Sequence, residues 1–599
     1  MLEKLNEIQV FKRIKNELRR EDLKMKGINF KLTKEILSYL LFFFLLFVNI
    51  IAVWITVLYG SFLGFQFSNL WITLLMISTI VLSAFMLVIK NGNLELKGYK
   101  FIVLILFSSI VPRLYFLFNE NPVIPEEFTI LLKVMPLNPV SRLSWFFHNY
   151  YAILGAMHVH PPISFIAINI GYLMFPNLVG LRFFSFILSV LSVGAVYLIL
   201  KEFSKEVAYL STIFYSLNPL VIMFTVVGYT EPYVLSFGLF GLYFFIRAFK
   251  KGATYAIASG VLIGLSLLSK STLGYIWIFL AILYVIIFYK NFLQSSRLQI
   301  LLKSLLSTSI SFLTIMPWAF LNYQSFKGAY ISFPLFLISQ FLKGKFQVGV
   351  FNPAQTTIPA QTTIQLLLKY FPMYASTFIG TTSYIELVLK LLIFLTPLIV
   401  MTAFIGLFLV LFKRKKYNVD YKKILFLVIW ILIPLLAFLI LIRDVRYFLP
   451  SVLPVVILPA YWIKDMKTNL ANAYKVSLTG FMLAFLLISY SIVNQSYAGI
   501  ASIKNAVEEY NIPYKKILTN YWLVSYMFEE SDVHVVQDSN VTRLMEKIIK
   551  ENYDCVIVWH HNRGAVYQFS DEAIEFFKLN YEKSIKLGSN FSYVEIFYK

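Results

Sequence analysis

The chain has 599 residues, of which 59% are hydrophobic, 18% aromatic and only 14% charged, whereas soluble globular proteins carry about 25% charged residues. This composition excludes a soluble globular protein and identifies an integral membrane protein. The formal net charge of +22 does not indicate nucleic-acid binding, because Lys and Arg fall in short clusters between apolar runs, as expected of cytoplasmic loops that fix topology.

Residues 1–35 mix Lys12, Arg13, Lys15, Glu17, Arg19, Arg20, Glu21 and Asp22 at spacings that predict a short amphipathic helix at the cytoplasmic surface. The apolar run 36–58 is long enough to span and reads as a signal anchor. With one more span it makes residues 36–99 a pair of N-terminal transmembrane helices. Lys and Arg along the loops then set the sides. The basic N-terminus is inside, 59–69 outside and 90–100 inside. The clusters at 201–206, 247–252, 290–297, 413–423 and 464–467 are also inside. Further spans are predicted near 101–118, 182–200, 207–226, 231–248, 254–270, 272–289, 302–322, 384–412, 424–442, 446–463 and 473–493, about thirteen in all. The run 163–175 breaks the alternation and is short for a span, so it reads as a helix on the outer interface. Two long external loops result, 119–181 and 323–383, flanked and joined by the transmembrane domain 100–494; the second contains NPAQTTIPAQTTIQ.

After residue 495 the composition changes. KKILTNYW, DVHVVQD and YDCVIVWHH alternate like strands, while NVTRLMEKIIKENY and DEAIEFFKLNY have helical spacing. Residues 495–599 therefore predict a small C-terminal α/β domain, placed outside the plasma membrane by the number of crossings. N-x-S/T triplets at Asn494, Asn540 and Asn590 give that side weak support. Cys555 is the single cysteine, so an intrachain disulfide and a Cys-based metal site are excluded.

Charged residues on the external side are the candidates for chemistry. Glu126 and Glu127 follow Arg113 where the third span emerges, His158 and His160 precede Pro161 and Pro162, and Glu231 opens another span. A carboxylate at a membrane interface is costly unless it has a partner or a function. Ordinary roles exist for each cation: Arg113 and Lys270 can reach up to headgroups, and Arg446 can pair with the nearby Asp444.

These residues resemble a family. Arg113-Leu114 with Glu126-Glu127, His160-Pro161-Pro162, Leu181-Arg182-Phe183, Glu231, the stretch GLSLLSKSTLGY with Lys270, and Arg446-Tyr447-Phe448-Leu449-Pro450 resemble, in order and spacing, GT-C glycosyltransferases of the protein O-mannosyltransferase and aminoarabinose-transferase type. Glu126 stands where that family has Asp, and Ser271 where it has Gly. The resemblance implies a GT-C-like polytopic α-helical fold and an inverting glycosyltransferase that takes a sugar from a polyprenyl-phosphate donor at the outer face and passes it to a protein, glycan or lipid acceptor. It implies Glu126 as base, with Glu127 and Glu231 as further catalytic carboxylates, and Arg113, His160, Lys270 and Arg446 as ligands of the lipid phosphate. Glu126, His158 and His160 could instead ligate a divalent metal ion, the one cofactor in view. A non-catalytic sugar-lipid binding protein, a flippase or a transporter is the alternative. The W-W-D signature of oligosaccharyltransferases is absent from the C-terminal domain, where Trp559 precedes His560-His561.

Overall fold

Backbone N–H and C=O groups in a bilayer have no water to bond, so a chain this apolar must satisfy them within helices. The computed structural model follows that rule. It describes residues 36–599 except 59–60, 62–66, 89–98, 120–126, 128–129, 132–134, 136–137, 142–161, 289–296, 327–390, 392–393, 413–420, 441–444, 465, 497, 522–523, 529, 537–540, 562–568 and 589–591. The N-terminal segment 1–35 and nearly all of the 323–383 loop thus lie outside the described residues. Among the described residues seven helices are long and apolar enough to cross a membrane: Ile36–Leu58, Asn69–Val88, Leu178–Phe203, Glu231–Lys251, Leu298–Pro317, Val445–Lys464 and Thr468–Ala501. The protein is a multi-pass membrane protein. Length and hydropathy return fewer spans than the thirteen read from the loops, and shorter apolar helices such as Ala253–Leu267 and Leu273–Phe288 occupy other expected positions.

One expected span is corrected. Residues 207–226 are not one straight helix but two, Lys205–Leu217 and Pro219–Thr225, meeting at 57°. Pro219 has no N–H for the preceding turn, and it drives Asn218 out of the helical region; Asn218 is extended, with ψ 125°. The Asn218 side chain then caps the second helix by accepting from the Val221 N–H at 3.4 Å. Likewise the expected helix over 446–463 begins as a 3₁₀ turn, Val445–Ser451, before the α-helix Val452–Lys464.

The short run at 163 forms the helix Ile163–Met174. Twelve residues rise about 18 Å, too little for a hydrocarbon core of about 30 Å. It packs on the 178–203 helix where Gly171 and Gly180 let the backbones touch: a Cβ on Gly180 would lie 1.9 Å from the Phe175 carbonyl oxygen. The N-terminal helix Asn69–Val88 packs along Thr468–Ser496, where Ser83 and Ser477 share a 2.8 Å hydrogen bond.

The C-terminal region is a five-stranded sheet in the order β2-β1-β3-β5-β4. Its strands are β1 (Lys516–Thr519), β2 (Asp532–Val535), β3 (Cys555–His561), β4 (Lys583–Gly588) and β5 (Ser592–Tyr598). β1 runs parallel to β2 and β3, while β5 is antiparallel to β3 and β4. The helices Val541–Glu551 and Asp571–Asn580 place Ile548 and Phe577 in a core with Val556, Val558 and Phe597 of the sheet. Ile517, Ile557 and Ile596 belong to the core continuous with the helical bundle. Cys555 is fully buried in β3, and burial, with Asp554 adding to it, pushes its thiol up to about 12. Because the thiolate is the reactive form, the native protein should resist maleimide at pH 8 over an hour and label fully once denatured, as read by intact mass. Stoichiometric labelling of the native protein would contradict this placement.

Candidate functional site

The short loop 226–230 joins the bent helix pair to the helix Glu231–Lys251, and its residues are buried. Two carboxylates meet this loop within four residues. Upstream, the Gly228 N–H donates to Glu127 Oε1 at 2.7 Å. Arg182, in the first turns of the 178–203 helix, grips the same carboxylate with both prongs, Nε to Oε1 and Nη2 to Oε2, each at 2.9 Å. Its Nη1 donates to the carbonyls of Phe116 and Asn119 at 2.9 and 2.6 Å, at the end of the Tyr99–Leu117 helix, where exposed carbonyls attract a cation. Both side chains are wholly buried, in the bidentate geometry that makes such a pair strong.

Glu231 lies at the start of its helix, followed by Pro232, a position where proline costs nothing and the helix dipole favours a carboxylate. Three groups hold it. Lys270 Nζ donates to Oε1 at 2.7 Å, Thr230 Oγ1 donates to Oε2 at 3.2 Å, and Arg446 Nη1 stands 3.6 Å from Oε1. Lys270 sits in the turn between the helices 253–267 and 271–288, with its ammonium 4.8 Å from the Tyr447 ring centre and 5.7 Å from that of Tyr229, within cation–π range. Arg446 comes from the 3₁₀ turn Val445–Ser451. Elements distant in sequence thus bring one carboxylate and two cations together. The Ile163 N–H donates to the Leu268 carbonyl at 3.3 Å, so the chain just after His160-Pro161-Pro162 meets the turn that carries Lys270. Leu273, Trp277 and Leu449 line a narrow gap beside Glu231.

Of the residues singled out in the sequence, Glu231, Lys270 and Arg446 come together, and Glu127 joins the same loop from its other side. Arg446 faces Glu231. Arg113 is elsewhere: it is buried among the 99–117, 178–203 and 205–217 helices, donating to Ser189 Oγ at 2.6 Å and to the Ser109 and Ser216 carbonyls at 2.9 Å. Glu126, His158 and His160 lie outside the described residues. Among the described residues there is no group of three metal-ligating side chains. In the sequence Arg182 stands out only within Leu181-Arg182-Phe183 and Tyr447 only within Arg446-Tyr447-Phe448-Leu449-Pro450, and nothing singles out Gly228 or Tyr229. An arginine in the first turn of an otherwise apolar span was the one available clue to a buried acidic partner.

Residues 159–319 match the family model described as Dolichyl-phosphate-mannose-protein mannosyltransferase, the stretch that contains His160, Arg182, Glu231 and Lys270. The resemblance to the protein O-mannosyltransferase type is thereby shown over that stretch. Among solved structures, ArnT from Cupriavidus metallidurans in the apo state aligns at 11% identity and a TM-score of 0.47 over 83% of this chain and 97% of that chain. The same protein bound to undecaprenyl phosphate aligns at 10% and 0.46, with the same coverage. The Archaeoglobus fulgidus oligosaccharyltransferase in the apo form aligns at 12% and 0.48 over 77% of this chain and 70% of that one. No curated protein matches the chain significantly.

Proposed function

We propose that the protein transfers a glycosyl group from a polyprenyl-phosphate donor to an acceptor at the membrane face where Glu231, Lys270 and Arg446 meet. The observation that carries this reading is the buried cluster itself: a carboxylate shared between an ammonium and a guanidinium from separate elements. Two converging cations in a site closed to bulk water suit a phosphate that gains charge as the sugar leaves. Support for the donor class comes from the family description over residues 159–319, which names a dolichyl-phosphate-linked mannose and a protein acceptor.

In this reaction an acceptor heteroatom attacks the sugar C1 from the side opposite the phosphate, the C1–O bond breaks, and the lipid phosphate departs between Lys270 and Arg446. Glu126 takes the acceptor proton. Glu127, with both oxygens occupied by Arg182 and Gly228, fixes the chain beside Glu126 rather than exchanging protons. Glu231 holds the two cations together until phosphate enters, and His160 lies close enough in sequence to Ile163 to approach the same phosphate. The N-terminus is cytoplasmic, and the domain 495–599 stands on the side of the acceptor.

The test is transfer from radiolabelled polyprenyl-phosphate mannose by the purified protein in liposomes. Glu126→Gln should leave the protein folded and lower turnover by at least about 100-fold, as loss of a general base does. Normal turnover by this variant removes Glu126 from the reaction. Donor binding without release of lipid phosphate, in the wild type, would point to a sugar-lipid binding protein instead.

A further inference from the structure

Arg113 is the cation singled out in the sequence that the Glu231 cluster leaves aside. It is fully buried, and the oxygens that receive its N–H groups, Ser189 Oγ, Ser109 O and Ser216 O, are all neutral. Removing a guanidinium from water without a facing carboxylate costs several kcal/mol, so a compensating field must lie close by. The broken span supplies it. Ser216 is the penultimate residue of the Lys205–Leu217 helix. The Tyr215 carbonyl still accepts from the Asn218 N–H at 3.3 Å, but the chain turns at Asn218-Pro219, so the Ser216 carbonyl loses the Leu220 N–H that a continuing helix would bring to it. Such an end carries about half a negative charge. Ser108, on the same helix as Arg113, shares a 2.8 Å hydrogen bond with the Ser216 hydroxyl.

Arg113 also reaches the far side of the break. Ser189, which accepts from its Nε, is hydrogen-bonded to Thr225 Oγ1, the last residue of the helix Pro219–Thr225. From Thr225 the chain passes directly into the loop whose Gly228 binds Glu127 and whose end is Glu231. The break therefore sets where both carboxylate sites stand, and one guanidinium is tied to both sides of it, directly at Ser216 and through Ser189 at Thr225.

We propose that Arg113 is a positioning residue: it caps the carbonyl end of the 205–217 helix, holds the bend at Asn218-Pro219, and so places the loop 226–230 and Glu231. A phosphate ligand at this position would have to use the buried Nη2 alone, which has no hydrogen-bond partner among the described residues, or exchange the three intramolecular hydrogen bonds of Nε and Nη1. A cap keeps them.

The experiment is a double-mutant cycle on the full-length protein in detergent, with Arg113→Met and Arg113→Lys each in the wild-type and Pro219→Ala backgrounds. Melting temperature and affinity for polyprenyl phosphate are both read. Pro219→Ala lets the helix run on past residue 218, so that the Leu220 N–H can reach the Ser216 carbonyl and the cap is less needed. Arg113→Met should lower the melting temperature by several degrees in the wild type and by less than half as much in Pro219→Ala. Arg113→Lys should recover most of the wild-type melting temperature yet bind polyprenyl phosphate about tenfold more weakly, because the loop carrying Glu231 is displaced. Equal thermal losses in the two backgrounds, or Arg113→Lys with wild-type affinity, would overturn the proposal. If Pro219→Ala does not fold, the same cycle with Asn218→Ala, which weakens the cap across the break, decides the coupling. Only the affinity arm rests on the transferase reading: a wild type blind to polyprenyl phosphate would sink that reading, and the thermal cycle would still judge Arg113.

Discussion

Arg182→Met should destabilise the protein strongly, and Glu127→Gln added to it should restore much of what is lost. In the wild type every oxygen of the Glu127 carboxylate is bonded, two contacts coming from Arg182 and one from Gly228. Removing the guanidinium strips the buried carboxylate of its charged partner, and takes the Nη1 donor from the Phe116 and Asn119 carbonyls at a helix end. Breaking a buried pair from one side typically costs about 3–5 kcal/mol. Neutralising the abandoned carboxylate removes the larger part of that penalty, so the double variant should be more stable than Arg182→Met alone. Glu127→Gln alone should cost less, because Arg182 keeps its two carbonyl acceptors. Thermal unfolding in detergent, with Cys555 labelling as an independent readout, measures all three. Additive losses would mean that Glu127 and Arg182 do not act as the buried pair seen here.

How much of this was legible without coordinates differs from residue to residue. Hydropathy and loop charge suffice for the positions of most helices, because a bilayer imposes both length and sidedness on a span. The bend at residue 218 was also written in the chain: Asn218-Pro219 is a helix stop followed by a helix start. Overall apolarity masked it, and the run read as one span. The strands β1, β2 and β3 stand out in the sequence as short β-branched runs, whereas in the β4–β5 hairpin the exposed Lys583 and Lys586 interrupt KSIKLG and Glu595 interrupts SYVEIFY, which blurs the alternation. Glu231, Lys270 and Arg446 could be named from motif resemblance, but not their mutual contact, which joins residues 39 apart for the first pair. Arg182 and Glu127 are separated by 55 positions, and no local rule pairs them. Arg113 shows the limit most plainly. From sequence an arginine near the outer end of a span reads as reaching for headgroup or phosphate, and only the broken neighbouring helix shows carbonyls able to hold it inside.

Glu231→Gln should abolish transfer while making the protein depend on added anion for its stability. Lys270 and Arg446 both face one carboxylate oxygen, at 2.7 and 3.6 Å, and both side chains are at most 8% exposed. With an amide in place of the carboxylate, two cations remain close together with the shared counter-charge gone, a loss of about 3–5 kcal/mol for a buried pair broken from one side. Transfer should fall by at least about 100-fold, since the cations are no longer held where charge develops on the leaving phosphate. An anion entering between Lys270 and Arg446 would supply the missing charge, so polyprenyl phosphate should raise the melting temperature of Glu231→Gln by more than it raises that of the wild type. On the proposed reaction, phosphate must first displace Glu231 from its partners in the wild type; in the variant it need not. If neither polyprenyl phosphate nor inorganic phosphate stabilises Glu231→Gln beyond the wild-type response, Lys270 and Arg446 do not bind the lipid phosphate and it is held elsewhere.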